Sequence, residues 1–198
     1  MKHRVSAVLL AAGSSRRMGR PKQQLPLGNR PVLRHYLDTI SAAGVHELVV
    51  VVGVDAKETL ETLSGLPVRI AVNPAKDSDM AASVRAGLEV LDHSCSGVLV
   101  CLADHPLASC DTMKALAQTH AESPDKIIIP SCNGRRGHPS LFPTSILNEI
   151  FVVDTLRDIV RKDEARVRVV DVADEGVILD MDTPEDYEQV LRRAAGEA

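Results

Sequence analysis

Residues 5–22 read VSAVLLAAGSSRRMGRPK, an apolar run followed by a loop of small residues and cations. The run Val5–Leu10 lacks regular polar alternation, which is typical of a strand buried on both faces of a parallel sheet. Four cations lie within seven positions of the loop: Arg16, Arg17, Arg20 and Lys22. Backbone N–H groups of such a loop bind anions, and open α/β sheets bind ligands beyond the carboxyl ends of their strands. The stretch therefore predicts a polyanion site, with a triphosphate as the first candidate.

Two better-known phosphate loops do not fit this stretch. A Walker A loop requires Gly-Lys followed by Ser or Thr, whereas Gly19 is followed by Arg20 and Pro21. A dinucleotide fingerprint requires Gly-x-Gly-x-x-Gly, and Gly13 and Gly19 are too far apart for it. The alternative is a plain surface loop with solvated arginines. Cations placed directly beyond a buried strand favour the anion site.

Apolar runs alternate with helical patterns along the chain. Strands are predicted at Val5–Leu10, Glu47–Val52, Val68–Val72, Gly97–Leu102, Lys126–Ile129, Ser140–Phe142, Val167–Val170 and Val177–Leu179. Helices are predicted at Val32–Ala43, Ala56–Leu63, Met80–Leu91, Thr112–Ala121, Thr155–Arg161 and Thr183–Arg193. This order predicts one domain over residues 1–198 with a three-layer α/β/α, Rossmann-like architecture around a mostly parallel sheet.

The composition excludes several classes of protein. The 198 residues carry a formal net charge of −4, which argues against a nucleic-acid or membrane-surface partner. Aromatic residues make up 2% of the chain, so stacking platforms for single-stranded nucleic acid are not expected. No transmembrane or signal-peptide pattern is present, and the four scattered cysteines predict reduced, buried or semi-buried thiols rather than a metal cluster. We expect a cytoplasmic protein.

Three carboxylates follow apolar runs and are candidates for chemistry. Asp104 comes just after the strand Gly97–Leu102, and Ser109 suits the N-cap of the next helix better than Asp104 does. Asp180 and Asp182 precede the C-terminal helix and face the same side if this segment is extended. Helix capping explains Thr183 and the acidic residues after it, but it does not explain both of the preceding carboxylates.

The loop signature resembles that of the MobA-like nucleotidyltransferases, within the nucleotide-diphospho-sugar transferase superfamily. The matching residues are Leu10, Ala11, Ala12, Gly13, Ser14, Ser15, Arg16, Arg17, Met18, Gly19 and Lys22. The resemblance implies that this loop wraps a nucleoside triphosphate, with its first four residues near the base. It also implies that Arg17 and Lys22 contact phosphates and, with Asp104, act in catalysis.

The same resemblance implies a Mg²⁺ site. Asp104-His105-Pro106 matches the family's Asp-x-Pro motif, whose Asp binds the magnesium that bridges the triphosphate. The segment Asp180-Met181-Asp182-Thr183-Pro184 resembles a second family motif, which implies that Asp182, or else Asp180, completes the site. His105 stands where Met or Gln is usual, and we interpret it as a structural or substrate-side residue because magnesium prefers oxygen ligands.

A third segment resembles the family's cover over the base and ribose. It comprises Asn73-Pro74, Asp79 and Ser83. Asp79 stands where the family has Gly, and its side chain is expected to narrow the base pocket or contact a ribose hydroxyl. Taken alone, Ser83 is typical of a helix cap, and Arg85 of a solvated helix residue.

A fourth segment resembles the CTP:molybdopterin cytidylyltransferase branch, where it faces the acceptor substrate. It comprises Arg136, Gly137, His138 and Pro139, followed by Leu141-Phe142. His138 is predicted to contact a second anionic ligand. Arg157 has a counterpart in that branch and is either part of the same pocket or a surface helix residue.

Together, these resemblances imply a Mg²⁺-dependent transfer of CMP from CTP to a phosphate of molybdopterin, with release of pyrophosphate. A transferase of GMP or another nucleotide to a sugar or alditol phosphate is the alternative within the class. Two alternatives lie outside it: a non-catalytic nucleotide sensor, and an accessory protein that inserts molybdenum cofactor into a molybdenum hydroxylase.

Overall fold

The computed structural model describes residues 4–13, 21–75, 79–92 and 94–196. The strands are β1 Val5–Leu10, β2 Pro26–Leu27, β3 Arg30–Pro31, β4 Leu48–Gly53, β5 Arg69–Asn73, β6 Gly97–Leu102, β7 Ile127–Cys132, β8 Arg135–Arg136, β9 Ser140–Pro143 and β10 Val167–Asp171. The helices are α1 Val32–Ala42, α2 Lys57–Leu63, α3 Met80–Val90, α4 Cys110–Glu122, α5 Thr144–Leu147, α6 Leu156–Arg161 and α7 Pro184–Ala194. Short 3₁₀ turns cover Lys22–Gln24, Asn148–Phe151, Glu164–Arg166 and Glu175–Val177.

The main sheet has the strand order β10-β7-β9-β6-β1-β4-β5, with β8 paired to β7. Strand β1 runs parallel to both of its neighbours, and Leu10 at its end is level with Val51 of β4 and Leu102 of β6. Strand β9 is antiparallel to β6 and β7, whereas β4–β5 and β7–β10 pair in parallel. The prediction of a mostly parallel sheet is confirmed.

Helices cover both faces of the sheet because successive strand residues point to opposite sides. Leu9 and Val50 pack with residues of α1 and α4 on one face. Val8 and Val51 pack with residues of α3 and α5 on the other. The predicted three-layer arrangement is therefore present. Helix α7 lies outside these layers and contributes Val190 to a smaller apolar cluster.

The prediction of a strand at Val177–Leu179 is wrong. Val177 is instead the last residue of the 3₁₀ turn Glu175–Val177. Asp174 caps the turn by accepting a hydrogen bond from the Gly176 N–H at 3.0 Å. The same carboxylate accepts from the Ser109 N–H at 2.8 Å, which ties the turn to the start of α4. These side-chain bonds replace the backbone ladder that a strand would need.

Two features of the second half did not appear in the sequence-based prediction. Asn133 and Gly134 form the tight turn between β7 and β8, with φ values of 52° and 74°. Asn-Gly is the favoured pair for such a turn because both residues tolerate positive φ. Strand β9 then returns antiparallel between β6 and β7. The remaining predicted elements are present with ends shifted by a few residues.

The caps at three helices follow the sequence. Ser109 caps α4 by accepting from the Thr112 N–H at 3.1 Å, as predicted. Thr183 caps α7 and forms a capping box with Asp186. Thr155, which the sequence places inside the helix, is instead the N-cap of α6 and also forms a capping box. In all three cases a side-chain oxygen satisfies a backbone donor that the first turn leaves unpaired.

Cys95, Cys101 and Cys132 are buried free thiols, and Cys110 is partly exposed. This matches the prediction of scattered buried or semi-buried thiols. Among the described helices, none is long and apolar enough to cross a bilayer.

Glu149 gives a pH-dependent contribution to stability. Its carboxylate accepts hydrogen bonds from Arg166 and from Lys162, the latter at 2.9 Å, and these bonds hold its pKa below the usual range. A depressed folded-state pKa stabilises above the unfolded pKa of about 4.3 and loses that effect as the pH falls through the folded value. We expect Glu149→Gln to lower Tm at pH 7 by a few degrees, equivalent to at most about 1 kcal/mol.

The measurement is thermal unfolding of both proteins from pH 7 down to pH 3. The gap in Tm should close at acidic pH. Glu122→Gln, which removes an exposed partner of Arg168, is the matched control and should change Tm little at any pH. A gap for Glu149→Gln that persists unchanged at pH 3 would contradict this assignment.

Candidate active site

A crevice opens where the strand order reverses direction around β1. The chain runs from β1 through α1 to β4 on one side, whereas β6 lies on the other. The loops after β1 and β6 are joined by a hydrogen bond from the Ala103 N–H to the Leu10 carbonyl at 3.1 Å. Ligands of open α/β sheets bind at this kind of switch point, beyond the carboxyl ends of the strands.

A cavity of about 220 Å³ occupies this crevice. Its walls come from the end of β1, the turn after it, the start of α3 and the end of β6. The lining residues are Leu10, Ala11, Ala12, Gly13, Lys22, Gln23, Asp79, Met80, Ser83, Leu102, Ala103 and Asp104. The cavity thus gathers residues that the sequence predicted for nucleotide binding from four separate segments.

Lys22 lies between two carboxylates at the edge of the cavity. Its Nζ donates to Asp104 Oδ2 at 2.9 Å and to Asp182 Oδ1 at 2.8 Å. Burial works to lower the pKa of Lys22, but the neighbouring Asp104 and Asp182 outweigh it and raise the pKa above the usual value. The side chain is 13% exposed, so this cation is held in place and stays charged at neutral pH.

Local structure fixes each member of this triad. Lys22 begins a 3₁₀ turn, and Gln23 next to it is buried and donates from Nε2 to the Ala11 carbonyl at 3.2 Å. Asp182 follows the buried Met181, and its N–H donates to Asp186 Oδ2 at 3.2 Å. Sequence reasoning did not select Gln23. Its one signal is a polar residue directly after the candidate phosphate lysine.

The donor set fits a divalent cation. Asp104 Oδ1 is buried and has no hydrogen-bond partner among the residues that the structure describes, so one oxygen of this carboxylate is left for another ligand. Asp182 contributes a second carboxylate, whereas Asp180 is exposed and does not bond to Lys22. Among the described residues no three His, Cys, Asp or Glu side chains group closely enough to hold a metal. Two carboxylates suit Mg²⁺, which keeps waters and takes its remaining ligands from substrate phosphates.

His105 and His138 form a pair beside Asp104. Their ring centroids are 5.0 Å apart with the planes tilted by 55°. Burial lowers the pKa of His105, and burial together with the neighbouring His105 lowers the pKa of His138 to about 4. Both rings are therefore neutral at pH 7. Any contact from His138 to an anion must be a hydrogen bond from a neutral ring, not an ion pair.

The loop that carries His138 is fixed against neighbouring backbone. The Gly137 N–H donates to the Pro130 carbonyl and the His138 N–H to the Val177 carbonyl, each at 2.8 Å. A Cβ on Gly137 would lie 2.2 Å from the Val177 oxygen, so only glycine allows this approach. Pro139 is buried beside it. The predicted acceptor segment is thus a rigid wall next to Asp104.

The two arginines predicted for the acceptor are placed differently. Arg136 is exposed on β8, directly before the Gly137 loop. Arg157 is exposed on α6, away from the Gly137–Pro139 segment in sequence, and none of the hydrogen bonds or ion pairs between described residues joins the two. The structure therefore brings Arg136 to this wall but not Arg157.

The wall on the base side differs in detail from the prediction. Asp79 caps α3 by accepting from the Ala82 N–H at 2.7 Å, while it also lines the cavity. Ser83 is not a cap, because its Oγ accepts from Asn73 Nδ2 at 2.9 Å inside the fold. Arg85 is not a solvated helix residue. It donates to the carbonyls of Ile150 and Val153 at 2.8 and 2.7 Å and so holds that loop on α3.

Part of the predicted loop lies outside the described residues. These positions are Ser14, Ser15, Arg16, Arg17, Met18, Gly19 and Arg20. Their roles therefore remain predictions. Leu10–Gly13 and Lys22, on either side of them, line the cavity as expected.

The sheet, with its carboxylate–lysine cluster at the switch point, defines an α/β protein with the fold of nucleotidyltransferases. A solved nucleotidyl transferase from Methanothermobacter thermautotroptrophicus superposes with a TM-score of 0.85 at 24% identity, covering 98% of each chain. A second solved structure, Rv0371C of Mycobacterium tuberculosis H37Rv in complex with manganese, superposes with a TM-score of 0.77 at 24% identity. It covers 97% of this chain and all (100%) of that one.

The chain belongs to the MobA-like NTP transferase family, whose domain model matches residues 7–169. It is also similar to the Nicotine blue oxidoreductase of Paenarthrobacter nicotinovorans, with 31% identity over 199 residues. That match covers 94% of this chain and 96% of the relative. The family expected from the loop signature is thereby confirmed.

Proposed function

We propose that this protein transfers CMP from CTP to a phosphate of molybdopterin, with Mg²⁺, and releases pyrophosphate. The observation that carries the proposal is the position of Lys22 between Asp104 and Asp182 at the edge of the crevice cavity. A fixed cation beside two carboxylates is what a triphosphate with its metal requires. Membership of the MobA-like NTP transferase family supports the same reaction class.

In this reaction the protein must position the two substrates and stabilise the negative charge that develops. An oxygen of the acceptor phosphate attacks the α-phosphorus of CTP, the bond to the bridging oxygen breaks, and the electron pair leaves with pyrophosphate. An ionised phosphate is already a nucleophile, so no general base is needed. Lys22 stabilises the negative charge that develops on the departing pyrophosphate.

Asp104 and Asp182 are the residues that would hold Mg²⁺. When bound, the ion neutralises phosphate charge and polarises the group under attack. Asp182 rather than Asp180 is proposed because, between these two described residues, Asp182 is the one that shares Lys22 with Asp104.

The acceptor is assigned to the wall formed by Gly137–Pro139. This wall lies beside Asp104 through the His105–His138 pair, so a phosphate seated there would reach the nucleotide. Because both rings are neutral, Arg136 is the residue of this wall that supplies positive charge. The resemblance of this segment to the cytidylyltransferase branch is what favours molybdopterin over a sugar or alditol phosphate.

A second function, oxidoreduction, is favoured by one observation. The relative named Nicotine blue oxidoreductase matches nearly the full length of both chains. An oxidoreductase would need a redox cofactor in the crevice. The charged cluster of Lys22, Asp104 and Asp182 has no specific role in that chemistry. The two functions are separable, since only nucleotidyl transfer forms pyrophosphate.

The test supplies each NTP in turn, with Mg²⁺ and molybdopterin, and measures pyrophosphate. We expect release with CTP that depends on both molybdopterin and Mg²⁺. Controls replace molybdopterin by a sugar phosphate, or omit the acceptor. Turnover with GTP in place of CTP would contradict the base assignment, and turnover with the sugar phosphate would contradict the acceptor. Oxidation or reduction of nicotine blue without release of pyrophosphate would favour the second function.

A further inference from the structure

The arrangement of Lys22, Asp104 and Asp182 affects how tightly a divalent cation can bind before a nucleotide is present. A lysine ammonium already occupies the space between the two carboxylates, at 2.9 and 2.8 Å. One oxygen of each carboxylate therefore already accepts a hydrogen bond from Lys22 before any ligand arrives. A divalent cation entering this position would meet a fixed positive charge.

We infer that Lys22 keeps divalent cations weakly bound in the free protein and yields the carboxylates when a nucleoside triphosphate draws its ammonium away. Metal and nucleotide then bind as a strongly coupled pair. This inference rests on the proposed function, because it takes Asp104 and Asp182 as the metal carboxylates. It adds a second role to Lys22, distinct from any contact it makes in the reaction.

Charge and burial both support the coupling. The ammonium is 13% exposed and the two carboxylates are 28% and 31% exposed, so solvent screens the cluster only in part. Two cations cannot share these oxygens without strong repulsion at such short range. A metal that binds both carboxylates must therefore either displace the hydrogen bonds of Lys22 or bind next to its positive charge, and both weaken the affinity for the metal.

A triphosphate removes this obstacle. Its oxygens offer a new acceptor to Lys22, whose ammonium sits on a flexible four-carbon stem. Lys22 lines the same cavity as the segments predicted to hold the nucleotide, so the movement needed is local. By thermodynamic linkage, the factor by which nucleotide tightens metal binding equals the factor by which metal tightens nucleotide binding.

An unsatisfied carboxylate oxygen of Asp104 also indicates that the cluster binds another ligand. Oδ2 of Asp104 accepts a hydrogen bond from Lys22, whereas its Oδ1 is buried and has no partner within residues 4–13, 21–75, 79–92 and 94–196. Leaving a buried acceptor unsatisfied is costly, and such groups point to a role outside the ligand-free state. A metal bound to Asp104 would satisfy this oxygen.

The test measures Mn²⁺ affinity by calorimetry and electron paramagnetic resonance, with and without a non-hydrolysable CTP analogue. For the wild type we expect binding at least about tenfold tighter with the analogue. Lys22→Met should bind Mn²⁺ without the analogue about tenfold tighter than the wild type, with a smaller effect of the analogue. Lys22→Arg keeps the cation and should stay weak. Lys114→Met, at an exposed and distant lysine, should match the wild type.

Circular dichroism checks that each variant folds, and the wild-type comparison with and without analogue stands even if one variant does not. Equal Mn²⁺ affinity of the wild type with and without the analogue would overturn the inference while leaving nucleotidyl transfer intact. Equal Mn²⁺ affinities of folded Lys22→Met and of the wild type, both measured without the analogue, would also overturn the inference. Failure of Mn²⁺ to bind under any condition would instead overturn the proposed metal site, and the inference with it.

Discussion

Replacing Asp104 by Asn is expected to reduce pyrophosphate release by about 100- to 1,000-fold while the protein stays folded. Asp104, just after β6, accepts a hydrogen bond from Lys22 with one oxygen, and its other oxygen is buried with no partner in the described part of the chain. Asn is nearly the same size but carries no charge, so it weakens both the hold on Lys22 and the donor set for Mg²⁺. Because the change removes an interaction with the reacting phosphates, the loss should appear in kcat.

The measurement is steady-state pyrophosphate release at saturating CTP and acceptor, together with Tm. Asp180→Asn is the matched control, because Asp180 belongs to the same Asp-x-Asp motif but is exposed and makes no bond to Lys22. Its effect should be far smaller, whereas Asp182→Asn should resemble Asp104→Asn. Full activity of Asp104→Asn, or a larger loss in Asp180→Asn, would contradict the assignment of the carboxylates.

Replacing Gly176 by Ala is expected to lower the free energy of unfolding by about 3 kcal/mol, with a fall in Tm of roughly 6–12 °C. A Cβ on Gly176 would lie 2.1 Å from the Leu107 carbonyl oxygen and 2.8 Å from the Ala108 nitrogen. Both contacts are to backbone, so no side-chain rotation can relieve them. The turn must move away from the segment before α4, which breaks the bonds of Asp174 to that helix.

This change should also disturb the acceptor wall, because the carbonyl of the next residue, Val177, accepts from the His138 N–H. We therefore expect a higher KM for the acceptor at temperatures where Gly176→Ala is still folded. Gly53→Ala is the matched control for stability. Its Cβ would meet the Ala12 carbonyl at 3.7 Å, an ordinary contact, and Tm should change little. A Tm for Gly176→Ala equal to that of the wild type would contradict the packing described here.

The N-terminal half of the fold could be predicted because local signals there agree with the final packing. The run Val5–Leu10 is a strand between two parallel neighbours, and its loop lies at the switch point.

The capping residues Ser109 and Thr183 could also be predicted, because a cap depends on residues within three positions. Such short-range interactions can be read from one sequence.

The second half was predicted less well because its structure depends on distant partners. Residues 177–179 are apolar enough for a strand, but the bonds of Asp174 to α4 turn this segment into a 3₁₀ turn. Strand β9 is antiparallel because the preceding hairpin at Asn133-Gly134 reverses the chain. Neither effect can be derived from hydrophobic periodicity.

The site shows the same division. The resemblance selected Lys22, Asp104 and Asp182, and the structure brings all three together. It could not show that Lys22 joins the two carboxylates, nor that Gln23 anchors the turn to Ala11. The neutral state of His138 was also missed, because it follows from burial beside His105 and not from the neighbouring arginines in the sequence.

The central claim is that the α-phosphate of CTP is transferred, and the fate of its label tests this most directly. The protein is incubated with Mg²⁺, molybdopterin and CTP labelled at either the α- or the γ-phosphorus, and products are separated. We predict that the α-label appears in the molybdopterin product and the γ-label in pyrophosphate. Transfer of the γ-label to molybdopterin, or retention of both labels in CTP, would contradict the account.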